Sequence, residues 1–194
     1  ITKDESLVEF INIIKNKYGK IDAVINTAYP KNKNYGNHFF DVKFNDFCEN
    51  VNLHLGGYFL VSQKFADFFK NQGYGNIINI SSIYGVIPPK FDIYNNTEMT
   101  VPIEYSCIKS AIIMLDKYLS NYLKGCNIKI NTISPGGIFA NQDDEFIKNY
   151  NLKCANKGML DPSDINGTIR FLLSNDSNFI TGQNLIVDDG YVLN

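Results

Sequence analysis

Glu104-Tyr105-Ser106-Cys107-Ile108-Lys109-Ser110-Ala111 opens a segment running to about Lys124, in which Ile108, Ile112, Leu115, Leu119 and Leu123 recur at helical spacing. Before it lies the apolar run Asn76 to Ile80, and after it Ile128 to Ile133. Both runs are short and of the buried parallel-strand type. Strand, helix and strand in this order predict an α/β fold with a mostly parallel sheet.

The same alternation continues outward. Residues 3 to 18 read as an amphipathic helix with Leu7, Phe10, Ile11 and Ile14 on one face, Thr2 and Glu5 as a capping box, and Gly19 as the stop. Ile21 to Asn26 is a further strand. Residues 43 to 70 look helical through Phe44, Phe47, Val51, Leu55, Phe59 and Phe69, with Gly56-Gly57 weakening the middle. A long loop spans 83 to 103. Asp161-Pro162 caps a helix reaching about Leu173, and Asn184 to Val187 is a last strand. No repeat, low-complexity stretch or linker is evident, so residues 1 to 194 read as one domain. Residue 1 is isoleucine at the start of a helix, which reads as a piece whose upstream part has been lost.

Composition narrows the function. A hydrophobic content of 44% and a charged content of 20% are ordinary for a globular domain. A net charge of -2 without a basic cluster argues against nucleic acid as a partner. The longest apolar run, Ala111 to Leu115, is too short to cross a bilayer, and no signal peptide is visible. Cys48, Cys107, Cys126 and Cys154 lie far apart, and His38 and His54 stand alone. Neither a disulfide framework nor a metal site is expected, and a reducing cytoplasm is the simplest home.

Ligands of parallel sheets bind at the carboxyl ends of strands. Four polar or glycine-rich stretches fall there: Asn26-Thr27-Ala28-Tyr29, Ser81-Ser82, the Tyr105 helix start, and Ser134-Pro135-Gly136-Gly137. Tyr105 and Lys109 are one helical turn apart on one face. A free phenol ionises near pH 10, too high for a base at neutrality. An ammonium within ~4 Å, at an effective dielectric of ~20, favours the phenolate by up to about 4 kcal/mol, or roughly three pKa units. The spacing also arises by chance: Tyr29 and Lys33 match it in a loop, where they share no helical face. Ser82 either caps its strand or donates to a substrate carbonyl. Asn52 either satisfies local backbone or holds a water beside Lys109. Pro135-Gly136 is first of all a turn.

Taken together, Asn26-x-Ala28, Asn52, Ser82, Tyr105-x-x-x-Lys109 and Pro135-Gly136 resemble the short-chain dehydrogenase/reductase family. The resemblance extends from Thr2 to the closing Ile180-Thr181-Gly182-Gln183-Asn184-Leu185-Ile186-Val187-Asp188-Asp189-Gly190. It implies a partial Rossmann-like, doubly wound sheet with helices on both faces, lacking its first strands. It implies an oxidoreductase interconverting a hydroxyl and a ketone with NAD or NADP. Tyr105 would move the proton, Lys109 would bind the nicotinamide ribose and lower the tyrosine pKa, Ser82 would orient the carbonyl, and Asn52 would anchor a relay water. Asn26, Ala28, Pro135, Gly136 and Ile138 would line the cofactor with Tyr105 and Lys109. Homodimers or homotetramers through the two long helices are also implied, with Phe65, Phe68, Phe69, Leu119 and Leu123 as a possible surface or simply core.

Departures from the family pattern matter. Tyr29 crowds a place where glycine is usual, and Ala140 stands where a threonine commonly touches the nicotinamide. Tyr29-Pro30 and the long 83–103 loop are similar to a subgroup found with bacterial surface-glycan and flagellin-sugar genes. That loop offers Tyr84, Tyr94, Asn95, Asn96, Thr97 and Glu98, which suit a sugar or nucleotide sugar better than a steroid or fatty acyl group. The family's glycine-rich phosphate loop and its cofactor selector are not in the sequence, so NAD and NADP are not distinguished, and a non-catalytic remnant is the competing expectation. Gly73-x-Gly75 is no substitute, since it precedes a strand and lacks a third glycine.

Overall fold

The computed structural model describes residues 1–194. Four strands, β1 (Val24–Asn26), β2 (Gly75–Ile80), β3 (Ile128–Pro135) and β4 (Asn184–Val187), form one sheet in the order β1-β2-β3-β4. All three pairings are parallel, with Ile77 opposite Val24 and Ile130, and Ile133 opposite Leu185. Parallel neighbours need long crossovers. These carry α2 (Phe44–Gln72), then α3 (Ile103–Tyr122), then α4 (Asp144–Asn151) with α5 (Asn166–Leu173), while α1 (Asp4–Tyr18) precedes β1.

Both sheet faces are covered, as the near-continuous apolar character of the strands requires. Ile77 and Ile130 point to one face and pack with Leu7 and Ile11 of α1, Val61, Phe65 and Phe69 of α2, and Leu123. Ile78 and Ile133 point to the other and pack with Leu172 and Ile169 of α5. Each isoleucine fully withdrawn from water contributes roughly 1.5–3 kcal/mol. Some polar side chains of the strands tie the sheet to its neighbours. Asn79 on β2 and Thr132 on β3 both donate to the Asp116 carboxylate of α3, each at 2.6 Å. Burial pushes the Asp116 carboxyl up to about 7, against the pull of the Thr132 and Asn79 hydrogen bonds. These bonds seat α3 on the sheet two turns beyond Lys109.

Several boundaries and faces differ from expectation. The Thr2–Glu5 capping box does not form; α1 begins at Asp4 after Lys3, which makes no side-chain cap, whereas Gly19 ends it in the left-handed region. Gly56-Gly57 does not interrupt α2, whose 29 residues run on to Gly73. The core-facing stripe of α2 is Asn50, His54, Tyr58, Val61, Phe65 and Phe69. Of the stripe read from sequence, Phe69 lies in the core, Phe44 is 79% exposed, and Phe47, Val51, Leu55 and Phe59 line an open groove with Met114 and Tyr118 of α3, Val51 and Leu55 also packing against the Tyr58–Ile108–Ile112 cluster. Residues 83–103 are not plain loop but hold 3-10 turns at Ile83–Gly85 and Phe91–Tyr94. The Asp161-Pro162 helix starts as a 3-10 turn, Pro162–Ile165, with the Asp164 carboxylate accepting from the Asp161 N–H at 2.7 Å. Helix α4 is absent from the sequence reading. Its start is capped by Asp143, which accepts from the N–H groups of Glu145 and Phe146.

Candidate active site

The carboxyl ends of β1, β2 and β3 open into one cavity of about 500 Å³. Its walls include Thr27 and Tyr29 after β1, Ser81 and Ser82 after β2, Tyr105 and Lys109 on α3, and Pro135, Gly136, Gly137 and Ile138 at and after β3. Three of the expected catalytic side chains, Ser82, Tyr105 and Lys109, therefore share one space. Helix periodicity brings Tyr105 and Lys109 to it together, and Ser82 arrives because β2 ends beside α3. The Ser81 hydroxyl donates to the Lys109 carbonyl at 2.7 Å, and the Lys109 ammonium donates to the Ile80 carbonyl at 2.9 Å. Strand end and helix are thus joined in both directions.

The electrostatics differ from the simple ion–phenol picture. Lys109 Nζ lies 5.6 Å from the Tyr105 ring centroid, 5.5 Å from that of Tyr58 and 5.8 Å from that of Tyr29. Three tyrosine rings surround the ammonium. Burial lowers Lys109 to about 8. Burial also raises the Tyr105 phenol, while the neighbouring Ser82 hydroxyl pulls it down. Burial dominates the Tyr105 shift, and the Lys109 ammonium, which donates to the Ile80 carbonyl, does not reverse it.

Asn52 is a correction. It is exposed on the outer face of α2, among the residues of the groove formed with Met114. Two residues along a helix turn the side chain by about 200°, so it is His54 and not Asn52 that faces inward. His54 is 1% exposed and packs edge-on against Tyr29, ring centroids 5.0 Å apart, and against Tyr58 at 5.3 Å. The anchoring of a water beside Lys109 is not available to Asn52.

Tyr29 belongs to the site, even though its Tyr-x-x-x-Lys match is the chance one. Its ring meets Tyr105 perpendicularly at 5.8 Å, and its hydroxyl bonds that of Tyr35 at 2.6 Å. Also unforeseen is the wall built by α4, where Phe146 and Tyr150 line the cavity and the Tyr150 hydroxyl accepts from the Gly137 N–H at 2.6 Å. The Asp143-Asp144-Glu145 start and the i, i+4 spacing of Phe146 and Tyr150 carry that signal in the sequence. Of the polar loop residues, Tyr84 and Tyr94 face the cavity. Asn95 and Thr97 line an adjoining groove with Phe39, Phe40 and Phe91, and Asn96 and Glu98 are in neither lining. Ala140 is exposed, and its N–H donates to Gln142, whose side chain lines the cavity.

A nicotinamide cofactor fits this donor set. The Asn26 side chain is buried at the end of β1, and its Nδ2 has no hydrogen-bond partner. Of three Lys109 donors, one is used by Ile80. Pro135, Gly136 and Ile138 give an uncharged wall opposite, and Ala28 is half-buried between the lining residues Thr27 and Tyr29.

Comparison with known proteins gives the family. The family model described as enoyl-(acyl carrier protein) reductase matches residues 1–192. A post-translational flagellin modification protein A of Campylobacter coli is 50% identical over 194 residues, covering 100% of this chain and 76% of that protein. A 7alpha-hydroxysteroid dehydrogenase of Bacteroides fragilis is 30% identical, covering 99% of this chain and 72% of that one. The crystal structure of a short chain dehydrogenase from Leptospira borgpetersenii with bound NAD+ superposes with a TM-score of 0.87 at 38% identity, covering 98% and 72% of the two chains. The chain belongs to the short-chain dehydrogenase/reductase family. It is an oxidoreductase of that family, with NAD or NADP as cofactor. No helix is long and apolar enough to cross a membrane.

Proposed function

We propose that this enzyme interconverts a hydroxyl and a ketone on a small polar substrate, a sugar or nucleotide sugar. One observation carries the reading. Around Tyr105 the cavity wall carries Ser82, Tyr84, Tyr94, Thr100, Tyr150 and Gln142 among apolar residues such as Ile83, Met99 and Val101, and Lys109 is its one charged lining residue. Such a wall matches a polyhydroxylated ligand by neutral hydrogen bonds. Similarity to the flagellin modification protein supports a sugar destined for a surface glycan. In this assignment Tyr105 gives a proton to, or takes it from, the substrate oxygen. Ser82 donates a hydrogen bond to that oxygen, and Lys109 holds positive charge next to the phenol. Asn26, Ala28, Pro135, Gly136 and Ile138 hold the cofactor, which when bound supplies the hydride.

The test is a panel of nucleotide sugars, free hexoses, hydroxysteroids and acyl thioesters, each with NAD(H) and NADP(H), followed by cofactor absorbance. Turnover of the sugars is expected; turnover confined to the steroids and thioesters rejects the reading.

We infer further that residues 1–194 act as one domain of a cytoplasmic homodimer or homotetramer. Phe65, Phe69 and Leu123 are core residues with Phe68 and Leu119 packed against them, which favours another surface for the contact. Support comes instead from the outward groove between α2 and α3, where Phe59, Met114 and Tyr118 are 47%, 62% and 63% exposed. An apolar face of this kind is depleted of charge as interface cores are. Met114→Glu is expected to yield monomers by sedimentation equilibrium; an unchanged mass places the contact elsewhere.

A further inference from the structure

Tyr191 lies behind the cavity wall and is 0% exposed. It does not line the cavity, yet it touches two residues that do, Tyr84 and Tyr150. Its ring stacks on that of Tyr150, centroids 4.4 Å apart and planes at 14°. The Lys90 ammonium sits 4.2 Å from the Tyr191 centroid and donates to the Tyr191 carbonyl at 2.7 Å. The backbone is held as well: the Tyr191 N–H donates to the Asp188 carbonyl at 3.2 Å, and the Val192 N–H to the Asp188 carboxylate at 2.8 Å. The ring is thus fixed from three sides, and its hydroxyl with it.

Three hydroxyls form a row. Tyr191 lies 3.4 Å from Tyr84, and Tyr84 lies 3.2 Å from Tyr94. Each phenol can donate once and accept twice. The Tyr191 hydroxyl has Tyr84 as its only protein partner and is closed to solvent. Turned away from Tyr84, its proton would be a buried donor left unmade, at the full loss of its hydration. Tyr191 therefore donates to Tyr84. A hydroxyl that accepts is polarised into a better donor, so the row runs on from Tyr84 to Tyr94. Without Tyr191 the two directions of the Tyr84–Tyr94 bond would be equivalent. The Tyr94 proton is then the one without a protein acceptor, and Tyr94 lines both the cavity and the adjoining groove.

We propose that Tyr191 is a positioning residue that orients the hydroxyl row from Tyr191 through Tyr84 to Tyr94, leaving the Tyr94 proton to be donated to an acceptor oxygen of the substrate. Such an oxygen belongs to a ring ether, an acyl group or a carboxylate, which accept and do not donate. A substrate bringing only a donor to that wall is selected against, because Tyr94 already accepts from Tyr84. The proposal deepens the sugar reading and rests on the cavity being the substrate site, but its first test needs no substrate, so the two fail separately.

With 13Cζ-labelled tyrosine in an equal mixture of light and heavy water, a slowly exchanging hydroxyl gives two resolved signals and a rapidly exchanging one gives a single signal. The chain has 12 tyrosines, and Tyr84→Phe, Tyr94→Phe and Tyr191→Phe assign the three of interest. In the ligand-free protein, doubled signals are expected for Tyr191 and Tyr84 and a single one for Tyr94. Tyr191→Phe keeps the ring on Tyr150, and it is expected to move the Tyr94 signal although no hydrogen bond joins the two residues. A doubled Tyr94 signal in the wild type, or a Tyr94 signal unmoved by Tyr191→Phe, overturns the proposal. A second arm uses N-acetylglucosamine and UDP-N-acetylglucosamine as probes in the cofactor-absorbance assay. Tyr191→Phe and Tyr94→Phe are each expected to raise KM about tenfold with little change in kcat. The double variant should raise KM no further, because both act through one hydrogen bond; additive increases reject the row. If neither sugar turns over, the substrate reading falls and the exchange pattern still decides on the row. Should Tyr191→Phe fail to fold, the wild-type pattern decides alone.

Discussion

Tyr105→Phe is expected to cut turnover by about 10²–10⁴-fold, the range that a positioned general acid or base supplies. The substitution removes one hydroxyl facing Ser82 and leaves the ring. The perpendicular contact with Tyr29 at 5.8 Å and the place of Tyr105 in the first turns of α3 are retained. Thermal unfolding should therefore move little while kcat collapses, and cofactor affinity should change far less than kcat. The pH profile makes a linked prediction. Because burial brings Lys109 to about 8, its charge is present below that pH and lost above it. A neutral amine no longer favours a phenolate, so wild-type reduction should weaken as pH climbs through about 8 before the phenol itself titrates. Retention of the wild-type rate by Tyr105→Phe would move the proton chemistry to another group on the same wall, of which Tyr29 is the nearest phenol.

The strands, the crossover helices α2, α3 and α5 and the convergence of Ser82, Tyr105 and Lys109 are legible in the sequence for one reason. Each rests on a local pattern: a short apolar run, a 3.6-residue period, or an i, i+4 pair. The face of α2 is not legible, because this helix has two stripes. One, Phe47 to Phe59, lines the open groove beside α3, while the buried one carries Asn50 and His54, polar residues that look like surface. Asn50 is buried because it serves the neighbouring loop and helix: its Oδ1 accepts from the Asn32 N–H at 2.9 Å and its Nδ2 donates to Glu104 at 3.2 Å. That tertiary purpose inverts the amphipathic signal, and it puts Asn52 on the outer face. Tyr29 is hidden in a different way. Its role comes from a loop folding back over α3, and no periodicity records a loop's path.

Gly85→Ala is expected to damage both stability and rate, through backbone contact alone. Gly85 ends the 3-10 turn after Ser82, and its N–H donates to the Ser82 carbonyl at 2.9 Å. The turn rests directly on α3: a Cβ at residue 85 would lie 2.6 Å from the Lys109 carbonyl carbon, 2.7 Å from its oxygen and 2.9 Å from the Ser110 nitrogen. These are main-chain atoms in the middle of a helix, and they cannot swing aside as a side chain does. The Ser81 hydroxyl on the Lys109 carbonyl and the Lys109 ammonium on the Ile80 carbonyl tie the same two segments together, so the turn cannot lift without stretching both bonds. Overpacking of this kind typically destabilises by about 1–3 kcal/mol. The displacement falls on Ser82 relative to Tyr105, and a misplacement of about 1 Å in a catalytic constellation costs on the order of 10²-fold in rate. Gly167→Ala is the control. Gly167 is exposed within α5, and an added Cβ there meets nothing within 4 Å, so alanine should hold or raise the melting temperature through its better helix propensity and leave turnover alone. A Gly85→Ala protein with wild-type melting and wild-type kcat would mean that the close approach of turn and helix does not set the distance between the serine and the tyrosine.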